Sequence, residues 1–259
     1  MTPLLLMAGG ALGFSLGLLG AGGSILAVPA LMVLGGLSPR QAMASGLLTV
    51  GTTAVLGALL DVRGMATAQI RERLRMAMSL AVPGFGGAAA GARIAPLIPE
   101  SALLIGFLTL MLAAAFRLLK PSRYQSAGKD VEAAVGPRSV LVMALVGLGL
   151  GMLTGIFGIG GGFLVVPAMV GLFHLPVASA ASMSLWVIAV NAFAGLVGRA
   201  ADGDIVWNAA SLLTLGAIIG LMPGLACKLR LPEVVLRRSF AVILLLIGLV
   251  LGWQQFARG

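Results

Sequence analysis

Apolar residues gather into eight blocks, 3–36, 42–60, 76–97, 102–118, 139–172, 178–198, 209–226 and 235–252, separated by short charged stretches. Six have the length of one membrane span, about 20 residues for a helix crossing about 30 Å of hydrocarbon. The other two, 3–36 and 139–172, are too long for one crossing, because 34 helical residues reach about 51 Å. Glycines interrupt each near its middle: Gly20-Ala21-Gly22-Gly23-Ser24 in the first, Gly158-Ile159-Gly160-Gly161-Gly162 in the second. The pattern predicts a break at each tract and a short half-helix after it, about 24–35 and about 162–172. Ser24 is the expected N-cap of the first half-helix.

The two tracts belong to an internal repeat. A shift of 138 carries Gly20, Gly22, Gly23, Pro29, Ala30, Leu37, Ala42 and Leu47 onto Gly158, Gly160, Gly161, Pro167, Ala168, Leu175, Ala180 and Leu185. Later the shift becomes 133, and Gly91, Pro99, Glu100 and Phe107 fall on Gly224, Pro232, Glu233 and Phe240. The chain divides into a first transmembrane repeat, 1–118, a cytoplasmic linker, 119–138, and a second repeat, 139–259.

Basic residues mark the cytoplasmic face of a membrane protein. If each broken block is a hairpin that enters and leaves by one face, then 61–75, 117–138 and 227–238 are cytoplasmic and hold 13 of the 17 basic residues. If each block crossed once, 11 would be inside. The hairpin arrangement gives each half an odd number of segments, so the halves are inverted and both termini are outside. The expected fold is therefore an all-α polytopic membrane protein of two inverted repeats. Each has a glycine-broken, re-entrant-like hairpin and three spanning helices. Inverted repeats with broken helices characterise transporters, whose sites lie near the midplane. The two hairpin tips are expected to meet there.

Composition agrees: 59% of residues are hydrophobic and only 10% charged, which excludes a soluble or disordered chain. The net charge of +9 resides in the loops, so membrane topology explains it without a nucleic-acid partner. Cys227 and His174 are the single cysteine and histidine, so neither an internal disulfide nor a His/Cys metal site is expected. His174 is expected to be a solvated loop residue. Met1 to Gly10 carry no basic n-region, so no cleaved signal peptide is expected. No nucleophile–base pair, paired carboxylates or phosphate loop is visible. Neither an enzyme nor an ATP-driven pump is expected, and no cofactor.

A break inside a membrane segment frees backbone N–H groups that lipid cannot satisfy. The half-helix N-termini, with a positive dipole end, favour an anion. The competing explanation is close packing through small residues, and duplication of the tracts favours the anion site. Its candidate residues are Gly20, Gly22, Gly23, Ser24, Gly158, Gly160, Gly161 and Gly162. The following spans add Ser45, Thr49 and Thr53 (with Thr52 beside them) and, in the second half, Ser184 and Asn191 with Ser182 nearby. Thr53 and Asn191 are repeat equivalents. Hydroxyls and an amide can bond an oxyanion without adding a buried charge, but interhelical bonds and bonds back to the i−4 carbonyl would use the same groups. No Asp, Glu or Lys lies deep in a span. Arg93 is expected to snorkel to the outer interface.

The segment Gly158-Ile159-Gly160-Gly161-Gly162-Phe163-Leu164-Val165-Val166-Pro167 resembles the TauE/SafE family. So do its copy from Gly20 to Pro29, Ala44-Ser45-Gly46-Leu47, and Ser182-Met183-Ser184-Leu185. The resemblance covers nearly the whole chain. It implies a bacterial-type inner-membrane permease that exports sulfite, an organosulfonate or a related sulfur anion. The expected partners are that small anion and the lipid bilayer, with a homo-oligomer possible. An anion channel and a non-transporting membrane scaffold or accessory subunit are the alternatives. A scaffold fits less well, because the unusual residues lie inside the membrane.

Overall fold

The computed structural model describes residues 2–119 except 21 and 64, then 137–158, 162–173, 175, 177–199 and 202–228, and the isolated positions 235, 238, 242, 245, 246 and 249. Nine α-helices and no strand occur among them. They are α1 (Thr2–Leu19), α2 (Ala27–Val33), α3 (Pro39–Asp61), α4 (Thr67–Ile94), α5 (Glu100–Leu119), α6 (Pro137–Phe157), α7 (Gly162–Leu172), α8 (Val177–Arg199) and α9 (Trp207–Lys228). A 3₁₀ turn, Gly22–Leu26, leads into α2, and another, Ala95–Leu97, follows α4. Among the described residues four helices are long and apolar enough to cross a membrane: α1, α3, α8 from Ser179, and α9 to Cys227. Apart from those isolated positions, the expected last span, 235–252, lies outside the described residues, as does most of the linker.

Both overlong blocks break at their glycine tracts. The first departs from expectation in detail. Ser24 is buried inside the 3₁₀ turn, and the residue preceding α2 is Leu26, which makes no side-chain cap bond. By contrast α3 has its own start signal: Ser38 and Gln41 bond each other's backbone in a capping box, and Pro39 follows the cap.

Lipid does not drive apolar helices together, so close contact between small residues has to. Gly9, Gly13 and Gly17 on α1 lie against the backbone of Leu213, Ala217 and Leu221 on α9. In the same way Gly147, Gly151 and Gly155 on α6 lie against Leu80, Gly84 and Ala88 on α4. A Cβ on any of the six would collide with that backbone. Residue numbers rise together in both seams, so each pair runs parallel. On α4 and α8, Gly84 faces Asn191 and Ala92 faces Gly198, again parallel. On α3 and α8 the order reverses: Leu47 meets Gly195, Gly51 meets Ala192 and Gly57 meets Leu185. Thus α3 and α8 cross antiparallel in the centre. Adding 138 to the bounds of α3 (39–61) gives 177–199, the bounds of α8.

The ends of these helices carry different charge. Arg40 at the start of α3 pairs with Glu100 at the start of α5 at 3.6 Å and donates to the Pro96 carbonyl at 3.0 Å. Arg93 is exposed in the last turn of α4, and Arg199 ends α8 just before Asp202 and Asp204, so this end mixes both signs. Arg63, Arg71, Arg73, Arg75, Arg138 and Lys228 belong to helix ends on the opposite side.

Candidate anion site

The two breaks require glycine. Gly20 has φ +70° and Gly158 φ +66°, the left-handed region that a Cβ disfavours. Each is also pressed onto an opposing helix: Gly20 onto Ala181 near the start of α8, Gly158 onto Met43 near the start of α3. Since α3 and α8 are antiparallel, those starts lie at opposite ends of the bundle. Arg199, at the far end of α8, donates through Nη2 to the carbonyls of Gly155 (3.0 Å) and Ile156 (2.9 Å), immediately before the second break. Ala181 and Arg199 are 18 residues apart, so about 27 Å of helix separates the breaks.

The tips therefore do not meet at the midplane. The reason is arm length: α1 has 18 residues and α6 has 21, so the arms reach about 27 and 31 Å, nearly the full hydrocarbon depth. The returning segments, the turn Gly22–Leu26 and α7, do touch. Gly23 packs onto Leu12 and Leu16 of its own hairpin. Gly162 opens α7. Gly160, Gly161 and His174 lie outside the described residues.

The polar candidates divide into bonded and unbonded. Ser45 accepts from the Val206 N–H at 3.0 Å, one residue before α9. Thr49 donates towards the carbonyls of Ser45 and Ala210, both at 3.3 Å, and accepts from Thr214 at 3.1 Å. Thr53 bonds back to the Thr49 carbonyl at 2.7 Å, Thr52 to Leu48 at 2.8 Å, and Ser184 to Ala181 at 2.7 Å. These hydroxyls fasten α9 to α3 or close their own helix turns. Ser182 is buried. Asn191 differs from all of them. It is fully buried midway along α8, and neither its Nδ2 nor its Oδ1 has a hydrogen-bond partner. It lies against Gly84, one residue after Pro83 in α4; a Cβ at Gly84 would be 2.6 Å from Oδ1. Proline at 83 leaves the Ser79 carbonyl without its i+4 donor.

A buried amide with four unused bonding positions is costly in a stable interior, by about 1–3 kcal/mol. Such a group marks a place where a water, a ligand or a second conformation supplies the bonds. Arg199 was not among the candidates read from the sequence. Its signal in the sequence was its place in the last turn of an apolar span, shortly before Asp202 and Asp204.

A helical bundle with long apolar segments broken at glycines is that of an integral membrane protein. The comparisons make it a membrane transporter, and the chain belongs to the TauE/SafE family: residues 5–251 match the family described as "Sulfite exporter TauE/SafE". A "probable membrane transporter protein" of Xylella fastidiosa strain Temecula1 is 32% identical over 257 residues, covering 96% of this chain and 94% of that protein. A protein of the same description from strain 9a5c is 30% identical over 254 residues, covering 96% and 94%. The "probable membrane transporter protein YunE" of Bacillus subtilis is 28% identical over 251 residues, covering 89% and 90%. No solved structure matches the chain.

Proposed function

We propose that the protein is a secondary transporter that exports a small sulfur-containing anion, such as sulfite or an organosulfonate, across a bacterial inner membrane. The duplicated backbone break carries this reading: glycines in a left-handed conformation at Gly20 and Gly158, each seated near the start of the spanning helix that follows the other tract. Strained, helix-breaking backbone inside a membrane persists where it serves a solute pathway. The halves act as inverted repeats, 1–118 and 139–259. The directions of α1, α3 and α9 against α4, α6 and α8 support that inversion. The basic helix ends, Arg63 to Arg75, Arg138 and Lys228, face the cytoplasm, and the Arg40–Glu100 end faces outward.

Asn191 and the second tract (Gly158 to Gly162) contact the anion, and the first tract (Gly20 to Ser24) closes the opposite side. Ser45, Thr49, Thr53 and Ser184 shape the path mainly by holding α3, α8 and α9. A negative interior drives an anion outward without a coupling proton. Uptake of ³⁵S-labelled sulfite into proteoliposomes tests the proposal. Saturable uptake supports a carrier, flux linear in concentration indicates a channel, and none above empty liposomes indicates a scaffold.

A further inference from the structure

We propose that Arg199 is an anion-binding residue, holding a small oxyanion through its Nε–H beside the second break, at the end of the bundle that carries Arg40. This inference rests on the transporter reading above and adds the positive group that reading lacked. Arg199 is only 2% exposed. Its Nη2 is committed to the Gly155 and Ile156 carbonyls, which fixes the guanidinium at the C-terminal end of α6. Its Nε is buried and has no hydrogen-bond partner. Among the described residues no carboxylate comes within 4.0 Å of it, the only ion pair there being Arg40–Glu100.

A buried guanidinium with an unused Nε–H, whose Nη2 is held by carbonyl dipoles, has room in its bonding for a counter-charge. A sulfite or sulfonate oxygen supplies it in the charge-assisted geometry that arginine favours. Asp202 and Asp204, on the loop after α8, and Arg40 are close enough to act on Arg199 electrostatically. Asp202 is exposed and Asp204 half-buried, so both can approach the guanidinium in competition with the ion. Nε is closed to solvent in this conformation, as in an occluded site, and the approach of a loop carboxylate provides a way to displace the anion.

The test uses the full chain in detergent, with [³⁵S]sulfite binding measured by equilibrium dialysis at fixed ionic strength in a gluconate salt. Arg199→Gln is expected to raise the Kd about 10- to 150-fold, the cost of a charged hydrogen bond. Asp202→Asn removes a competitor on an exposed loop and is expected to lower the Kd about threefold. Unchanged affinity in both variants overturns the inference and leaves the transporter reading standing. Loss of affinity in Arg199→Gln with none of the tightening in Asp202→Asn marks Arg199 as a mere cap of α6 and also overturns it. Should Arg199→Gln fail to fold, Asp202→Asn decides alone. If the parent binds neither sulfite, sulfate nor 2-aminoethanesulfonate, the substrate reading fails and the site with it.

Discussion

Replacing Asn191 with leucine separates a functional polar group from a structural one. The two side chains have the same number of heavy atoms and the same branching, so the space against Gly84 stays filled. Asn191 makes no side-chain hydrogen bond to lose. Removing an unsatisfied buried amide returns its desolvation cost, at most about 1–3 kcal/mol, part of which goes to the misfit of a tetrahedral carbon for a planar one. Asn191→Leu is therefore expected to leave the thermal midpoint unchanged or raise it, each kcal/mol moving Tm by about 2–4 °C. Sulfite affinity should fall about 5- to 150-fold if the amide bonds the anion. Thr49→Ala is the control. It deletes the bonds among Thr49, Thr214 and the carbonyls of Ser45 and Ala210, and should cost about 1–2 kcal/mol of stability with little change in affinity. Thermal unfolding in detergent and sulfite dialysis on the same preparations give both numbers. If Asn191→Leu destabilised the protein as Thr49→Ala does and bound sulfite normally, the amide would be structural and the reasoning wrong.

Other tests address topology and packing. Reporter fusions within 119–138 and after Gly259 are expected to place the linker in the cytoplasm and the C-terminus outside; a cytoplasmic C-terminus would contradict the inverted halves. On α6, Gly151→Ala places a Cβ into the backbone of Gly84 and should cost about 1–3 kcal/mol, whereas Gly149→Ala meets nothing within 4 Å and should stabilise by about 0.5–1 kcal/mol, both read as unfolding midpoints. His174→Ala should leave sulfite flux in proteoliposomes unchanged; a loss would make the loop before α8 functional.

Much of the fold was legible because its devices are local. Two glycine tracts in overlong apolar blocks marked the breaks, and the 138-residue shift that aligns the tracts also converts the bounds of α3 into those of α8. The depth of the tips was misjudged, though the arms could have been counted: 18 and 21 helical residues before each break already cross most of a bilayer. Gly9, Gly13 and Gly17, with Gly147, Gly151 and Gly155, are spaced four apart and announce a packing seam. Their partners on α9 and α4 could not be read from them, because spacing fixes a face and leaves the neighbour open. The site was legible in residue type more than in role. Ser45, Thr49, Thr53 and Asn191 share buried polar character, but only their partners in space distinguish the three that are bonded from the one that is not. Arg199 escaped notice because burial, which makes it unusual, is a property of tertiary packing.

Counterflow tests the central claim, a carrier for a small sulfur anion, most directly. Proteoliposomes loaded with unlabelled sulfite are diluted into trace [³⁵S]sulfite with the membrane potential clamped at zero. A carrier is expected to give a transient overshoot of internal label above equilibrium, because inward label and outward sulfite share one saturable site. The overshoot should shrink in Asn191→Leu. Label that rises monotonically to equilibrium in the parent, or no faster than in empty liposomes, would contradict it.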